Sequence, residues 1–475
     1  MKQKENRSCV ISAQITKKSL NIVKNFLIKY PVISAIVNEI TQNGGRVLLI
    51  GGAVRDLFLN LTPKDFDIEV HGLKIAQIQK ILKKHGQLSL VGKSFGVIRI
   101  EGLNVDWSVP RIDSAGRKPL VQINPLLDVR MAFSRRDLTI NAMGLNLKTC
   151  ELVDPFRGMR DLKLNILRTP DKNKFVEDPL RFFRVMQFVG RFGMKPDEEL
   201  NSLCAKMDIS GVSRERIEEE FKKLFLRSKC PSLGFNWLRS IDRLQDVLPE
   251  IYDTIGVAQD PVKHPEGDVY THIMQVLDGI AGIKNISEHE KLLFCWAALV
   301  HDLGKKDTSK KWPDGGVSAY GHAEFGVPLA KKLLKRITQD QKLIAGVCKI
   351  VKHHMKPGQF IANKAKPAAY RRLASELAPE VTLELLGKFA RIDKLARNPK
   401  SHKLLRAGAR YELLFARRAR AYAVYKEPEK PVLLGRDLLK YVQPGPELGK
   451  ILARAYEIQL DEGIRDKKIL KKRVL

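Results

Sequence analysis

Cysteine is scarce in this chain. Six occur in 475 residues, at positions 9, 150, 204, 230, 295 and 348. No two form a CxxC pair, which excludes a thiolate zinc site and leaves reduced core thiols as the expected state, with no disulfides. Long apolar runs are also missing. A membrane span needs roughly 18 apolar residues, and the longest run, "LLFCWAALV", reads as a buried helix. The N-terminus is basic without an apolar signal core, so the expected compartment is the cytoplasm, with no membrane partner. There is no internal repeat and no low-complexity tract. Acidic residues are in deficit: 53 Asp and Glu face 84 Lys and Arg, a net charge of +31. Such an excess favours a polyanion through phosphate contacts and counterion release. It is spread along the chain, which suits a long surface such as folded RNA.

What remains is an ordinary globular composition, 44% hydrophobic, in a chain long enough for two to four domains. Residues 1–45 read as a polar lead-in with one amphipathic helix. "RVLLI" is a short strand ending at Gly51-Gly52, "AVRDLFLNL" a helix and "DFDIEV" a strand. "GVIRI", "NVDWSV" and "LTINAMGLNL" are further strand candidates. After "DPFRGMRDL" the pattern turns helical almost to the end, and the Pro-rich "KEPEKPVLLGRD" sets off a last helical tail. The expected fold is an α+β head with a small mixed sheet, followed by all-α segments.

The stretch "LLIGGAVRDLFLNLTPKDFDIEV" concentrates chemistry. Side chains alternate along a strand, so Asp65 and Asp67 share a face. Two adjacent carboxylates repel, and a divalent cation relieves the repulsion. Hard oxygen ligands suit Mg²⁺, which also bridges substrate phosphates. Gly51 and Gly52 allow close backbone approach to a triphosphate, and Arg55 lies one helical turn on. Asp106 in "NVDWSVPR" offers a third carboxylate, enough for two metals clamping the attacking and leaving oxygens of an in-line displacement. In "SRRDLTINAMG", Arg136 can bind phosphate, while Asp137 and Asn141 suit ribose hydroxyls. A loop followed by a solvated acidic strand, with an ion pair at the next strand entry, is the plain structural alternative.

The ordered set GGAVRD, DFDIEV, VDWSVPR, RRDLTINAMG, DPFRGMRDL and EDPLRFFR resembles the class II tRNA nucleotidyltransferase and poly(A) polymerase family. It is most similar to the bacterial CCA-adding enzymes that carry an HD domain. The resemblance implies Asp65 and Asp67 as metal ligands, and Gly52, Arg55, Arg136, Arg181 and Arg184 as nucleotide contacts. It also implies a partition into a lead-in (1–45), a nucleotidyltransferase head (46–160), a helical neck (161–235), an HD domain (236–400) and a helical tail (401–475).

"EDPLRFFRVMQF" opens a helix, with Asp178 as N-cap and Pro179 at the first helical position. Asp178 and Arg181 are three apart and share a face. A carboxylate acceptor beside a guanidinium donor complements cytosine and adenine, which present an amino donor beside a ring-nitrogen acceptor. Guanine and uracil would oppose like to like, at roughly 1–3 kcal/mol per unsatisfied group. In the family the matching pair templates CTP and ATP.

Seven of the ten histidines fall between 264 and 354. "WAALVHDLGKK" places His301 and Asp302 at the end of an apolar helix, with Gly304 closing it. His272, His322, His353 and Asp393 complete an imidazole and carboxylate set suited to a transition-type divalent metal such as Ni²⁺, Co²⁺ or Mn²⁺. The ordered H…HD…H…H…D resembles the HD phosphohydrolase superfamily. His289 reads as a surface residue, and His264 and His354 as supporting or exposed residues. The resemblance implies 2′,3′-cyclic phosphodiesterase, 2′-nucleotidase and phosphatase activity, suited to repair of an RNA 3′ end.

The expected activity is therefore addition of CCA to tRNA 3′ ends from CTP and ATP. Within the enzyme class the rivals are a poly(A) polymerase and an A-adding enzyme. The rival from another class is an inactive RNA-binding protein, against which all three carboxylates being present argues. The tail, "VLLGRDLLKYVQPGPELGKILARAYEIQLDEGI", has the layout found near the C-terminus of related nucleotidyltransferases, and "RDKKILKKRVL" offers phosphate contacts. The connecting loop "RIDSAGRKPLVQINPLLDVRMAF" follows the family only loosely, and it bears on the switch between CTP and ATP.

Overall fold

The computed structural model describes residues 17–91, 97–113 and 121–475. Residues 114–120 of the divergent connecting loop lie outside this range. The chain divides into two compact units, Met1–Val212 and Ser213–Leu475. The division falls inside the stretch read as a neck. Among the described residues no single helix is long and apolar enough to cross a membrane.

The first unit is built on β1 (Arg46–Ile50), β2 (Phe66–His71), β3 (Leu88–Val91), β4 (Val97–Ile100), β5 (Val105–Ser108), β6 (Arg111–Asp113), β7 (Val121–Ile123), β8 (Gly144–Asn146) and β9 (Leu152–Val153). Seven of them form one mixed sheet in the order β3-β4-β5-β2-β1-β8-β9, and β6 pairs with β7 in a separate ribbon. β1 is central and buried over Val47–Ile50, as its unbroken apolar run requires. On one side Leu48 and Ile50 pack with Ala132, Phe133 and Ala142. The helix Pro31–Gln42 buries Ile33, Ile36, Val37 and Ile40. The expected α+β head is present.

One strand expectation changes. "LTINAMGLNL" is not continuous: Thr139–Asn141 forms a 3₁₀ turn, and only Gly144–Asn146 pairs in the sheet. The cause lies in local polar side chains that compete with a ladder. Asn141 Nδ2 donates to Asp137 Oδ1 at 2.9 Å, and Thr139 Oγ1 donates to Asp161 at 2.7 Å. Helix Gly158–Leu164 then packs so closely that a Cβ on Gly158 would stand 2.1 Å from the Thr139 carbonyl oxygen.

The second unit is helical apart from a short two-stranded ribbon, Lys310–Lys311 with Val317–Ser318. Helices Val269–Ala281, Glu288–Val300, His322–Ile337, Gln341–His353 and Leu383–Leu395 carry its buried core. Gly304 does not end the helix before it by a left-handed turn, since its φ is −66°. Its role is close packing: a Cβ there would lie 2.1 Å from the His322 carbonyl oxygen. The missing side chain lets the His301-Asp302 corner meet the helix that starts at His322. The tail has its own small core of Leu433, Leu438, Leu448, Ala455 and Leu470.

Candidate active sites

Strand register assembles the first site. β1 and β2 are antiparallel with Ile50 opposite Asp67, and β2 and β5 are parallel with Asp67 beside Asp106. The turn after β1 therefore lies at the end of β2 where the acid pair stands. Asp65 immediately precedes β2 and is exposed, Phe66 points into the core, and Asp67 returns to the exposed side. Asn104 Nδ2 donates to Asp65 at 2.9 Å, and Arg99 pairs with Asp106. The protein wall raises the Asp67 carboxyl above its ordinary value; Arg136 opposes this, while Asp106 and Asp65 add to it. Like charges crowded at one strand end make a ready ligand set for a divalent cation.

Gly51 is locked by geometry. Its φ of 74° and ψ of −137° belong to a region that is essentially glycine's. A Cβ here would stand 2.7 Å from Arg136 Nη1 and 3.8 Å from Asp67 Oδ2. The bare turn thus opens onto an arginine and an acid ligand together. Arg136 Nε is buried with no hydrogen-bond partner among the described residues, and burial lowers the pKa of this guanidinium. An unsatisfied buried donor beside the acid pair fits an anionic phosphate oxygen.

Behind this edge lies a layer of arginines. Arg55 is 4% exposed; its Nη1 donates to Asn141 Oδ1, its Nε and Nη2 reach Asp56 at 2.8 and 2.6 Å, and its guanidinium lies 5.1 and 5.0 Å from the Phe188 and Phe192 rings. Arg184 Nε donates to Asp137 Oδ2 at 2.6 Å, while Asp137 Oδ1 accepts from Asn141 Nδ2 and from the Leu138 N–H. Burial opposes the Asp137 charge, but Arg184 and Asn141 prevail and hold its pKa at about 2. Asp137 and Asn141, the residues suited to ribose hydroxyls, thereby also hold Arg184 and Arg55 in place. Arg181 donates through Nη1 to the Lys174 carbonyl at 2.6 Å and through Nη2 to the Arg135 carbonyl. Asp178 accepts the Leu180 N–H at 3.2 Å; the N-cap position of the helix Leu180–Phe192 falls on Pro179, one residue after the Asp178 that the sequence position implied.

The second site lies wholly within the second unit. His272, His301 and Asp393 present ligand atoms within 4.8 Å of one another, and so do Asp302, His322 and His354. His353 is the exception to the expected set. Its Nε2 lies 3.1 Å from Glu376, while His354 Nε2 lies 3.3 Å from His322 Nε2 and 3.8 Å from Asp302. Adjacent helical residues point about 100° apart, so only one of a His-His pair can face the cluster. Sequence spacing does not say which.

The imidazoles are pre-oriented. Nδ1 of His301, His322 and His354 lies 2.9, 2.7 and 2.8 Å from the carbonyls of Ala298, Ala319 and Val351. A carbonyl only accepts, so Nδ1 carries the proton and each Nε2 lone pair faces the cluster. His301 Nε2 and Asp302 Oδ1 are buried without hydrogen-bond partners among the described residues. Burial opposes the charge on Asp302 and on Asp393, yet the cations beside them, Lys305 at Asp302 and Arg397 at Asp393, help hold both pKa values well below the ordinary range. Nitrogen and carboxylate donors with orphaned ligand atoms fit a divalent metal.

Three residues of this site escaped the sequence reading: Glu266, Lys305 and Arg397. Glu266 accepts from His264 at 2.9 Å and lies 2.7 Å from His272 Nδ1, orienting His272 from outside the cluster. Lys305 stands 2.7 Å from Asp302, and Arg397 3.3 Å from Asp393. The signal for Glu266 was its place in "KHPEGDVYTH", one helical start before His272. Lys305, Arg397 and His264 line a cavity of about 490 Å³ that opens onto Asp302, His322, His354 and Asp393.

Residues 47–168 match the Poly A polymerase head domain family, and residues 269–398 match the HD domain family. The chain thus joins a nucleotidyltransferase head to an HD domain. It is 34% identical over 301 residues to the multifunctional CCA protein of Hahella chejuensis, covering 61% of this chain and 67% of that one. The multifunctional CCA protein of Psychromonas ingrahamii is 32% identical over 322 residues, with coverages of 65% and 74%. The chain belongs to the multifunctional CCA protein family. The fold is also that of the Bacillus stearothermophilus CCA-adding enzyme in complex with CTP (TM-score 0.61, 16% identity, 92% of this chain and 96% of that one). The Thermotoga maritima CCA-adding enzyme complexed with tRNA is likewise similar (TM-score 0.55, 19% identity, 95% and 97%).

Proposed function

We propose that this protein completes tRNA 3′ ends by transferring C, C and A from CTP and ATP without a nucleic-acid template, and that its HD domain hydrolyses phosphoesters at RNA 3′ ends. The observation that carries the first reading is the register of β1, β2 and β5. It sets Asp65, Asp67 and Asp106 at one sheet end beside the bare Gly51 turn and Arg136. Asp65 and Asp67 would hold Mg²⁺, with Asp106 available to a second ion, and bound Mg²⁺ would stabilise the triphosphate and the attacking 3′-hydroxyl. Arg136, with its buried unpaired Nε, takes a phosphate oxygen. Gly51 keeps a side chain out of the approach. Asp137, Asn141 and Asp56 hold Arg184 and Arg55 rigid behind the nucleotide. Asp178 and Arg181 select C and A by the complementary edge described above. For that edge to form, Arg181 must exchange the Lys174 and Arg135 carbonyls for the base.

The HD reading rests on the pre-oriented Nε2 atoms converging on Asp302 and Asp393. His272, His301, Asp302, His322, His354 and Asp393 would hold the metal, and imidazole ligands favour Ni²⁺, Co²⁺ or Mn²⁺ over Mg²⁺. A bound metal would supply an activated water for attack on phosphorus. Lys305 and Arg397 bring positive charge to a phosphate in the cavity. Asp67→Ala tests the first reading: with Mg²⁺ and tRNA lacking its CCA end, nucleotide addition disappears while tRNA binding persists. Addition by this variant at a near wild-type rate would overturn the metal assignment.

A further inference from the structure

The cavity above the HD cluster has more than a polar floor. Its lining includes Tyr320, which is 83% exposed. Tyr320 lies two residues before His322, so their Cα atoms are within about 7 Å. One helical turn beyond the Gly321 cap stands Phe325, 60% exposed. Large aromatic side chains bury readily, and one held in solvent at the mouth of a charged cavity leaves a π-face open for a ligand. The lining also includes Met355, Lys356 and Gln359. The same lining joins buried metal ligands (Asp302, His354), a buried cation (Lys305) and an exposed aromatic ring (Tyr320), a set that matches a phosphoester ending in a planar base.

We infer that Tyr320 is a base-stacking residue of the HD site, which takes a nucleoside phosphoester with its phosphate at the metal cluster and its base against the Tyr320 ring. This rests on the phosphohydrolase reading above and adds to it the part of the substrate that is recognised. Stacking is tolerant of base identity, because every base has a π-face. The site therefore accepts any 3′-terminal nucleotide and discriminates against phosphoesters that lack a base.

The test compares wild type, Tyr320→Ala and Tyr320→Phe as full-length, Ni²⁺-loaded protein. The substrates are adenosine 2′,3′-cyclic phosphate and its base-free counterpart, methyl riboside 2,3-cyclic phosphate. Tyr320→Ala lowers the ratio of nucleotide to base-free kcat/KM about tenfold, through KM, as loss of one stacking contact requires. Tyr320→Phe keeps the wild-type ratio, because the ring remains. Metal content, measured in parallel, is equal in all three proteins. An unchanged ratio in Tyr320→Ala would overturn the inference, and so would an equal loss on both substrates with full metal occupancy. Calorimetric binding of adenosine 2′-monophosphate and ribose 2-phosphate separates the two readings. If wild type hydrolyses neither substrate, the phosphohydrolase reading fails. Tyr320 stacking still stands or falls on whether Tyr320→Ala weakens the nucleotide alone.

Discussion

Gly51→Ala is the smallest change that reaches the nucleotidyltransferase site. At φ 74° and ψ −137° an alanine is strained by about 1–3 kcal/mol. Its Cβ would also stand 2.7 Å from Arg136 Nη1, so the guanidinium must retreat by roughly 0.7 Å to reach ordinary contact at 3.4 Å. The Arg136 guanidinium lies 5.6 Å from the centroid of the Phe133 ring. The strain lowers the melting temperature of the first unit by roughly 2–12 °C, at about 2–4 °C per kcal/mol for a unit of this size. Displacing a phosphate-binding group by close to 1 Å costs on the order of 100-fold in transfer rate. The assay is single-turnover incorporation of labelled CMP into tRNA lacking CCA, at saturating Mg²⁺ and 15 °C, where the variant is folded. HD hydrolysis by the same preparation stays within twofold of wild type. Wild-type incorporation by Gly51→Ala would refute the close approach of turn, arginine and acid pair.

Asp178→Ala relaxes discrimination against UTP and GTP by roughly 5- to 150-fold, the equivalent of one mismatched buried group at 1–3 kcal/mol; incorporation from each single NTP reads it, and full selectivity would leave Asp178 with its hydrogen bond from Leu180 alone. Asp302→Asn removes metal-dependent hydrolysis of a 2′,3′-cyclic nucleotide while CCA addition continues, because the candidate ligands of each site lie within one unit, Asp65, Asp67 and Asp106 in the first and the HD cluster in the second; loss of addition in a variant with wild-type circular dichroism would contradict this. Asp137 is 8% exposed and holds a pKa of about 2 against an ordinary 3.8, so its pairing stabilises the first unit fully above the unfolded value and is lost as pH falls through about 2. Between pH 5 and pH 2 the wild type therefore loses about 2 kcal/mol more than Asp137→Asn, measured by denaturant titration of the first unit's transition; parallel pH profiles would disprove the Arg184 pairing.

The sheet was legible because its signals are local. The apolar run of β1 and the in-out alternation of β2 and β5 announce strands, and period two alone puts Asp65 and Asp67 on one side. The HD cluster was legible as an ordered set of ligand types. What escaped depends on partners far away in sequence. Arg55 reads as a phosphate ligand beside a glycine turn, yet Asn141, Phe188 and Phe192 enclose it, and none is near it in the chain. The 3₁₀ turn at Thr139–Asn141 replaces a strand because Asp137 and Asp161 bind its side chains. Gly304 looks like a helix stop, but its absent Cβ serves the crossing at His322. His353 and His354 differ only in which side of a helix end they occupy, and the packing of helix Gln341–His353 settles the choice.

The central claim is ordered, template-independent addition of C, C and A, and one experiment addresses it directly. tRNA transcripts ending at the discriminator base, after the first C and after the second C are each incubated with CTP alone, ATP alone, both together, UTP and GTP, and the products are sized at single-nucleotide resolution. The account predicts two C residues on the first transcript and one on the second from CTP alone, one A on the third from ATP alone, a complete CCA end when both are present, and nothing from UTP or GTP. Untemplated runs of A on any of the three, or addition of A only to the third with no C added to the first, would contradict it.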